Sequence, residues 1–207
     1  MSEKTFPLSK ENLSALSIQY PTPFYLYDEK AIRDHAKKFM TAFSSRFPGF
    51  RQYYAVKACP NPYIVKILAA EGLGADCSSM AELILAQKSG LTGDDVFFSS
   101  NNTPESEYVY ANLMNAIINL DDITHIDFLE KALGAFPERI CFRYNPGPLK
   151  DGNALIGKPE EAKYGLTRPQ VIDAYADAAK RGSTSFGLHT MVASNELDPD
   201  YFVETAR

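Results

Sequence analysis

The chain has 207 residues, 45% hydrophobic and 23% charged, a composition ordinary for a soluble globular protein and long enough to bury a sizeable core. A formal net charge of -5 leaves no electrostatic footprint for nucleic acid or an anionic membrane. The polar start MSEKTFPLSKENL lacks a signal peptide's apolar core, and no apolar run approaches a membrane span. The three cysteines (Cys59, Cys77, Cys141) lie singly inside apolar strands, with neither metal-ligand spacing nor an even disulfide framework, so a reducing, cytoplasmic setting is expected.

In chain order, TPFYLYDEKAIRDHAKKFMTAFSSRF predicts a strand, an Asp28 N-cap and a long amphipathic helix, a leading unit over residues 1–50. From 51 to 207, short apolar runs alternate with helical patterns. The first run, YYAVKA (53–58), is rich in strand formers and closed by Pro60. Alternation would place Tyr53, Ala55 and Lys57 on one face of that strand. A lysine there is either a solvated strand end, since its stem snorkels readily, or a chemical group. GADCSS (74–79), VFFSS (96–100), AIINLDD (116–122), ICFRYN (140–145) and FGLHTMV (186–192) follow as further strands. The intervening segments are amphipathic helices closed by Gly72 and Gly90, or opened by Thr103 as N-cap before Pro104, or led by Thr167 or Arg168 into Pro169. Strand starts recur roughly every 20 to 24 residues until the Pro/Gly-rich loop before the sixth, which leaves room for one helix per crossover. The repeat is a parallel sheet, either doubly wound or part of a (β/α)8 barrel.

Both architectures place their chemistry at the C-terminal edge of the strands. Polar residues gather there from five of them: Lys57; Asp76, Ser78 and Ser79; Ser99 to Asn102; Arg143 and Asn145; His189 and Ser194. The stretch GNALIGK (152–158) fits part of a phosphate-binding P-loop, but Pro159 stands where that motif needs a hydroxyl for Mg²⁺, and a surface loop is the better reading.

The stretch YYAVKACPNPYIVKILAAEGLGADCSSMAEL, with TPFYLYD before it and SSNNT, RYNPG and AKYG after it in order, resembles the pyridoxal-phosphate-dependent decarboxylases of the alanine-racemase-type barrel, the diaminopimelate decarboxylases above all. The resemblance implies a (β/α)8 TIM-type barrel, pyridoxal 5'-phosphate as cofactor, an amino-acid substrate and a homodimer of the full-length protein. It makes Lys57 the catalytic lysine that carries the cofactor, with an amine that burial and Arg143 would depress from about 10.4. Asp76, Arg143, His189, Met191 and Ser194 become cofactor-binding, Ser194 at the phosphate. Glu82 either orients this network or is a solvated acid at a helix start. No metal is implied.

Two departures stand out. The related sequences read G-L-H-x-H-x-G-S on the sixth strand, where this chain reads G-L-H-T-M-V-A-S, so Met191 replaces a histidine that stacks on the cofactor and Ala193 replaces a glycine. A thioether packs well on a ring but donates no proton. A complete barrel also takes about 250 residues, so six of eight strands are expected here, with the C-terminal β domain of the related enzymes lying outside the chain. The expected activity is decarboxylation of meso-diaminopimelate to L-lysine. Its rivals are decarboxylation of a related amino acid or carboxylated polyamine precursor, and a non-catalytic relative of the same barrel.

Overall fold

The computed structural model describes residues 6–152, 155 and 157–207, arranged as two compact units divided between Phe50 and Arg51. The first five residues of the polar start, and Asn153, Ala154 and Ile156 of the GNALIGK stretch, lie outside the described residues.

In the first unit, α1 (Lys10–Gln19) was not anticipated; Ser9 opens it, its hydroxyl oxygen accepting from the Asn12 N–H at 3.2 Å. The strand expected over TPFYLYD does not form: residues 21–28 pair with no strand, and Pro21 and Pro23 lack the N–H groups a ladder needs. The helix after it does form, as α2 (Glu29–Ser44), with the Asp28 carboxylate accepting from the Ala31 N–H at 3.0 Å. Ala36 is buried on its apolar side, and Phe43 packs against Phe39 and Phe50 with ring centroids 4.7 and 4.9 Å apart.

The second unit alternates strand and helix: β1 (Tyr53–Ala55), α3 (Pro62–Ala70), β2 (Gly74–Cys77), α4 (Met80–Lys88), β3 (Val96–Phe98), α5 (Glu105–Leu113), β4 (Ile117–Leu120), α6 (His125–Leu133), β5 (Arg139–Arg143), α7 (Arg168–Lys180), β6 (Ser185–His189) and α8 (Pro199–Ala206). Local sequence sets most of these boundaries. Asn61 and Ser79 cap α3 and α4, the Gln170 side chain accepts from both the N–H and the hydroxyl of Thr167 to start α7, and Gly134 ends α6 in the left-handed conformation. The N-cap of α5 is Pro104 rather than Thr103, and it contributes no side-chain cap.

All six strands are parallel and hydrogen-bonded in the order β1-β2-β3-β4-β5-β6. A doubly wound sheet reverses its strand order partway; this one never does, so right-handed crossovers lay the helices between its strands, α3 to α7, on the same face. That face carries the core, in which Phe98, Ile118, Leu120, Ile140 and Phe142 pack against Leu83, Tyr108, Leu129 and Ala174. The opposite face presents Asp76, Phe97, Asn119, Cys141 and His189 by alternation.

The inner face is strongly curled. Phe97 on β3 and His189 on β6 lie three strand spacings apart, about 14 Å in a flat sheet. Their ring centroids are 5.5 Å apart, and Tyr53 on β1 meets the same Phe97 ring at 5.7 Å. Only a sheet bending around its own interior brings these rings together, and the fold is a (β/α)8 TIM-type barrel represented by six strands among the described residues. Close packing at the base of the interior explains Gly74, where a Cβ would sit 2.6 Å from the Asp95 carbonyl oxygen and 2.8 Å from the Tyr53 ring.

Candidate active site

The C-terminal ends of the strands open into a cavity of about 460 Å³ lined by Lys57, Asp76, Ser99, Arg143, His189 and Met191, together with residues of the long loop after β5. Five of the six residues expected at the cofactor therefore share one cavity. The sixth, Ser194, lies half-buried in the segment after β6 and is not among the lining residues.

Lys57 departs from its expected setting in two ways. The strand ends at Ala55 and Val56–Ala58 form a 3₁₀ turn, so Lys57 reaches the cavity from a turn and not from the inner face of a strand. It is also exposed, where burial was expected. The turn follows from Val56, whose fully buried side chain anchors it to the core under the helices while Lys57 faces the opening.

Asp76, on β2, accepts a hydrogen bond from the Ser99 hydroxyl at 2.5 Å. Burial raises its carboxyl above the ordinary range, opposed by that hydrogen bond and by the charge of Lys57. Glu82 is accounted for as a helix-start acid: its carboxylate accepts from the Ser78 N–H at 2.8 Å and lies near the Ser78 hydroxyl at 3.2 Å.

Arg143, at the end of β5, is the most heavily engaged cation of the cavity. One Nη meets the Asp121 carboxylate at 3.1 Å, the other donates to the Met191 carbonyl oxygen at 3.1 Å, and the guanidinium stands 5.6 Å from the centre of the Tyr164 ring. Asp121, just past β4, is not among the polar strand ends nominated from the sequence. AIINLDD ends in two aspartates, and that was the available signal. The second, Asp122, accepts from the Thr124 N–H at 2.8 Å and its hydroxyl at 2.6 Å, and so shapes the entry to α6.

His189 ends β6. Burial, then the positive charge of Arg143, push its imidazole down to about 4, so it is neutral at physiological pH. Its Nδ1 is buried and has no hydrogen-bond partner among the described residues. Met191 lies beyond the strand, so alternation along a strand does not place it, yet its side chain reaches the same cavity and stays 37% exposed. Cys77 and Cys141 are buried, and burial raises both thiols, Cys141 to about 12. Among the described residues no group of His, Cys, Asp and Glu is placed to hold a metal ion.

The depressed imidazole has a consequence for stability. A histidine near 6.5 when unfolded and about 4 when folded binds more protons in the unfolded state between those values. Its contribution is therefore intact above about pH 6.5 and is lost as the pH falls towards 4. Urea unfolding of the full-length protein between pH 7 and pH 4 should show a steeper loss of stability than His189→Gln. Parallel curves for the two proteins would contradict this placement of the ring.

Comparison with known proteins places this cavity in a family. The pyridoxal-dependent decarboxylase family, pyridoxal binding domain, matches residues 30–207. Protein TabA of Pseudomonas amygdali pv. tabaci is 38% identical over 98% of this chain and 46% of its own length. Diaminopimelate decarboxylase of Methanothermobacter thermautotrophicus is 31% identical over 91% of this chain and 44% of its own. Among solved structures, a point mutant of Helicobacter pylori diaminopimelate decarboxylase complexed with L-lysine superposes with a TM-score of 0.82 at 27% identity, over 94% of this chain and 50% of that one. The chain belongs to the pyridoxal-dependent decarboxylases, matching their pyridoxal-binding domain over residues 30–207, so pyridoxal phosphate is its cofactor. It spans about half the length of the curated relatives it matches.

The residues present suit that group. A primary amine, a guanidinium and several hydroxyls meet an aldehyde-bearing phosphate ester in kind, and the neutral His189 ring offers an uncharged surface.

Proposed function

We propose that the protein carrying this chain is a pyridoxal-phosphate-dependent decarboxylase that converts meso-diaminopimelate to L-lysine. The observation that carries this reading is the convergence of Lys57, Asp76, Arg143 and His189, from or just after four different strands, on one cavity. Cations outnumber carboxylates on its wall, with Lys57, Arg143 and Lys163 against Asp76, which favours a phosphate-bearing cofactor and a substrate rich in carboxylates.

Bound pyridoxal phosphate supplies an aldehyde for attachment and a conjugated ring that accepts the electron pair left when CO₂ departs. Lys57 supplies the amine that holds the cofactor covalently. Arg143, fixed by Asp121, sets a positive charge at the inner wall. Asp76, held by the Ser99 hydroxyl, offers a carboxylate beside Lys57. His189 presents an uncharged ring, and Met191 adds a polarisable sulfur that moves no proton. Ser194 is assigned to the phosphate on the resemblance of the sixth-strand motif. We further assign the full-length protein as a cytoplasmic homodimer, with residues 1–50 as a leading unit ahead of the barrel. The free cysteines, and the lack of any described helix long and apolar enough to cross a membrane, support the compartment.

A second reading, a related amino acid as substrate, has an observation of its own: the 38% identity to TabA exceeds the 31% to a diaminopimelate decarboxylase, so similarity alone does not single out meso-diaminopimelate. The test is a substrate panel on the full-length protein with added pyridoxal phosphate, following CO₂ release from meso-diaminopimelate, lysine, ornithine and arginine. Meso-diaminopimelate should be turned over with L-lysine as product and the highest kcat/KM. No release from it, alongside turnover of another amino acid, would transfer the assignment to the second reading.

A further inference from the structure

We propose that Asp121 is a positioning residue that works through Arg143, fixing the guanidinium so that it holds the segment after β6, residues 190–194, against the cavity. The inference deepens the cofactor-site reading and rests on it for its functional consequence.

The Asp121 and Arg143 side chains are only 3% and 11% exposed, so their contact is shielded from water and salt. A guanidinium is a rigid planar fork, and fixing one arm fixes the direction of the other. With Nη1 on the Asp121 carboxylate, Nη2 is aimed at Met191, whose carbonyl oxygen lies 3.1 Å away and whose Sδ lies 3.8 Å away. The stem of Arg143 is confined as well. Gly165 passes so close that a Cβ there would sit 3.3 Å from the Arg143 Cγ, and its N–H donates to the Asp121 backbone carbonyl at 2.9 Å. A buried acid on the loop after β4 thus reaches a segment beyond β6 through one side chain of β5. The segment it reaches contributes Met191 to the cavity wall and carries Ser194, the residue assigned to the phosphate. Its start is tied independently, the Thr190 hydroxyl donating to the Tyr144 carbonyl at 3.2 Å.

The experiment is hydrogen–deuterium exchange on the full-length protein without cofactor, comparing the natural protein with Asp121→Asn, which keeps the shape and removes the charge. Amides of 190–194 should exchange faster while those of β2 to β4 keep their protection. In the same proteins the dissociation constant for pyridoxal phosphate should rise about tenfold. Asp121→Glu, which keeps the charge and displaces it, is read in the same way if the asparagine variant does not fold. Unchanged exchange at 190–194 in a folded variant would overturn the proposal, and so would a uniform rise across the sheet, which marks a purely structural role. The exchange measurement needs no cofactor. Failure of the natural protein to bind pyridoxal phosphate would therefore count against the cofactor site while leaving the clamp to stand or fall on exchange.

Discussion

Lys57→Arg in the full-length protein should eliminate covalent attachment of pyridoxal phosphate and lower decarboxylation by at least about a hundredfold, at the low end for loss of a directly participating group. Arginine keeps a positive charge at the mouth of the cavity, but a guanidinium stays protonated and is no nucleophile, so the charge survives and the chemistry does not. The fold should be indifferent, because Lys57 is exposed on its turn and Val56 supplies the buried anchor. Borohydride reduction of the cofactor-loaded natural protein, followed by peptide mass spectrometry, should place the label on Lys57. Lys163 is the informative competitor, since it lines the same cavity. Label on Lys163 or Lys66 with Lys57 unmodified would remove Lys57 from its role.

Residues 1–207 expressed alone should aggregate or remain partly unfolded, without tight binding of pyridoxal phosphate. Each of the two outer strands, β1 and β6, has one neighbour in the sheet, leaving a row of N–H and C=O groups on its other side. On β6, Phe186 and Leu188 are 45% and 63% exposed. Each large apolar side chain left in water forfeits up to about 1.5 to 3 kcal/mol of burial, against a total domain stability of about 5 to 15 kcal/mol. Light scattering and urea unfolding of the purified segment are the direct measurements. A monodisperse, cooperatively unfolding yellow protein would mean that the sheet satisfies its edges by another arrangement.

Much of this structure could be read in the sequence, for identifiable reasons. The recurring spacing of apolar runs, the helix stops Gly72 and Gly90 and the helix start at Thr167 located the barrel units, because each signal is local and its physics operates within a turn or two of chain. Readings that depended on a partner were less secure. TPFYLYD has the composition of a strand, but a strand needs a neighbour, and none pairs with it. YYAVKA continues as a strand pattern through Lys57, yet the chain turns after Ala55 because Val56 is drawn into the core below the helices. Lys57, Asp76, Arg143 and His189 could be nominated from strand ends alone. The pairing of Arg143 with Asp121 could not, since it joins residues brought together only by strand register.

The contact between Phe97 and His189 also bears on when this site comes into being. Lys57 follows β1 and His189 ends β6, far later in the chain, and they face a common space only once the sheet has curled far enough for the β3 and β6 rings to touch. Contacts between such distant parts of the chain form late, after loop-closure entropy has been overcome. A nascent chain therefore displays Lys57 before it has the cavity. A ligand that bridges β1 and β6 selects the curled arrangement over flatter ones and stabilises it in proportion to its occupancy. Under the proposed function, cofactor capture and the closing of the sheet around its cavity would be one event.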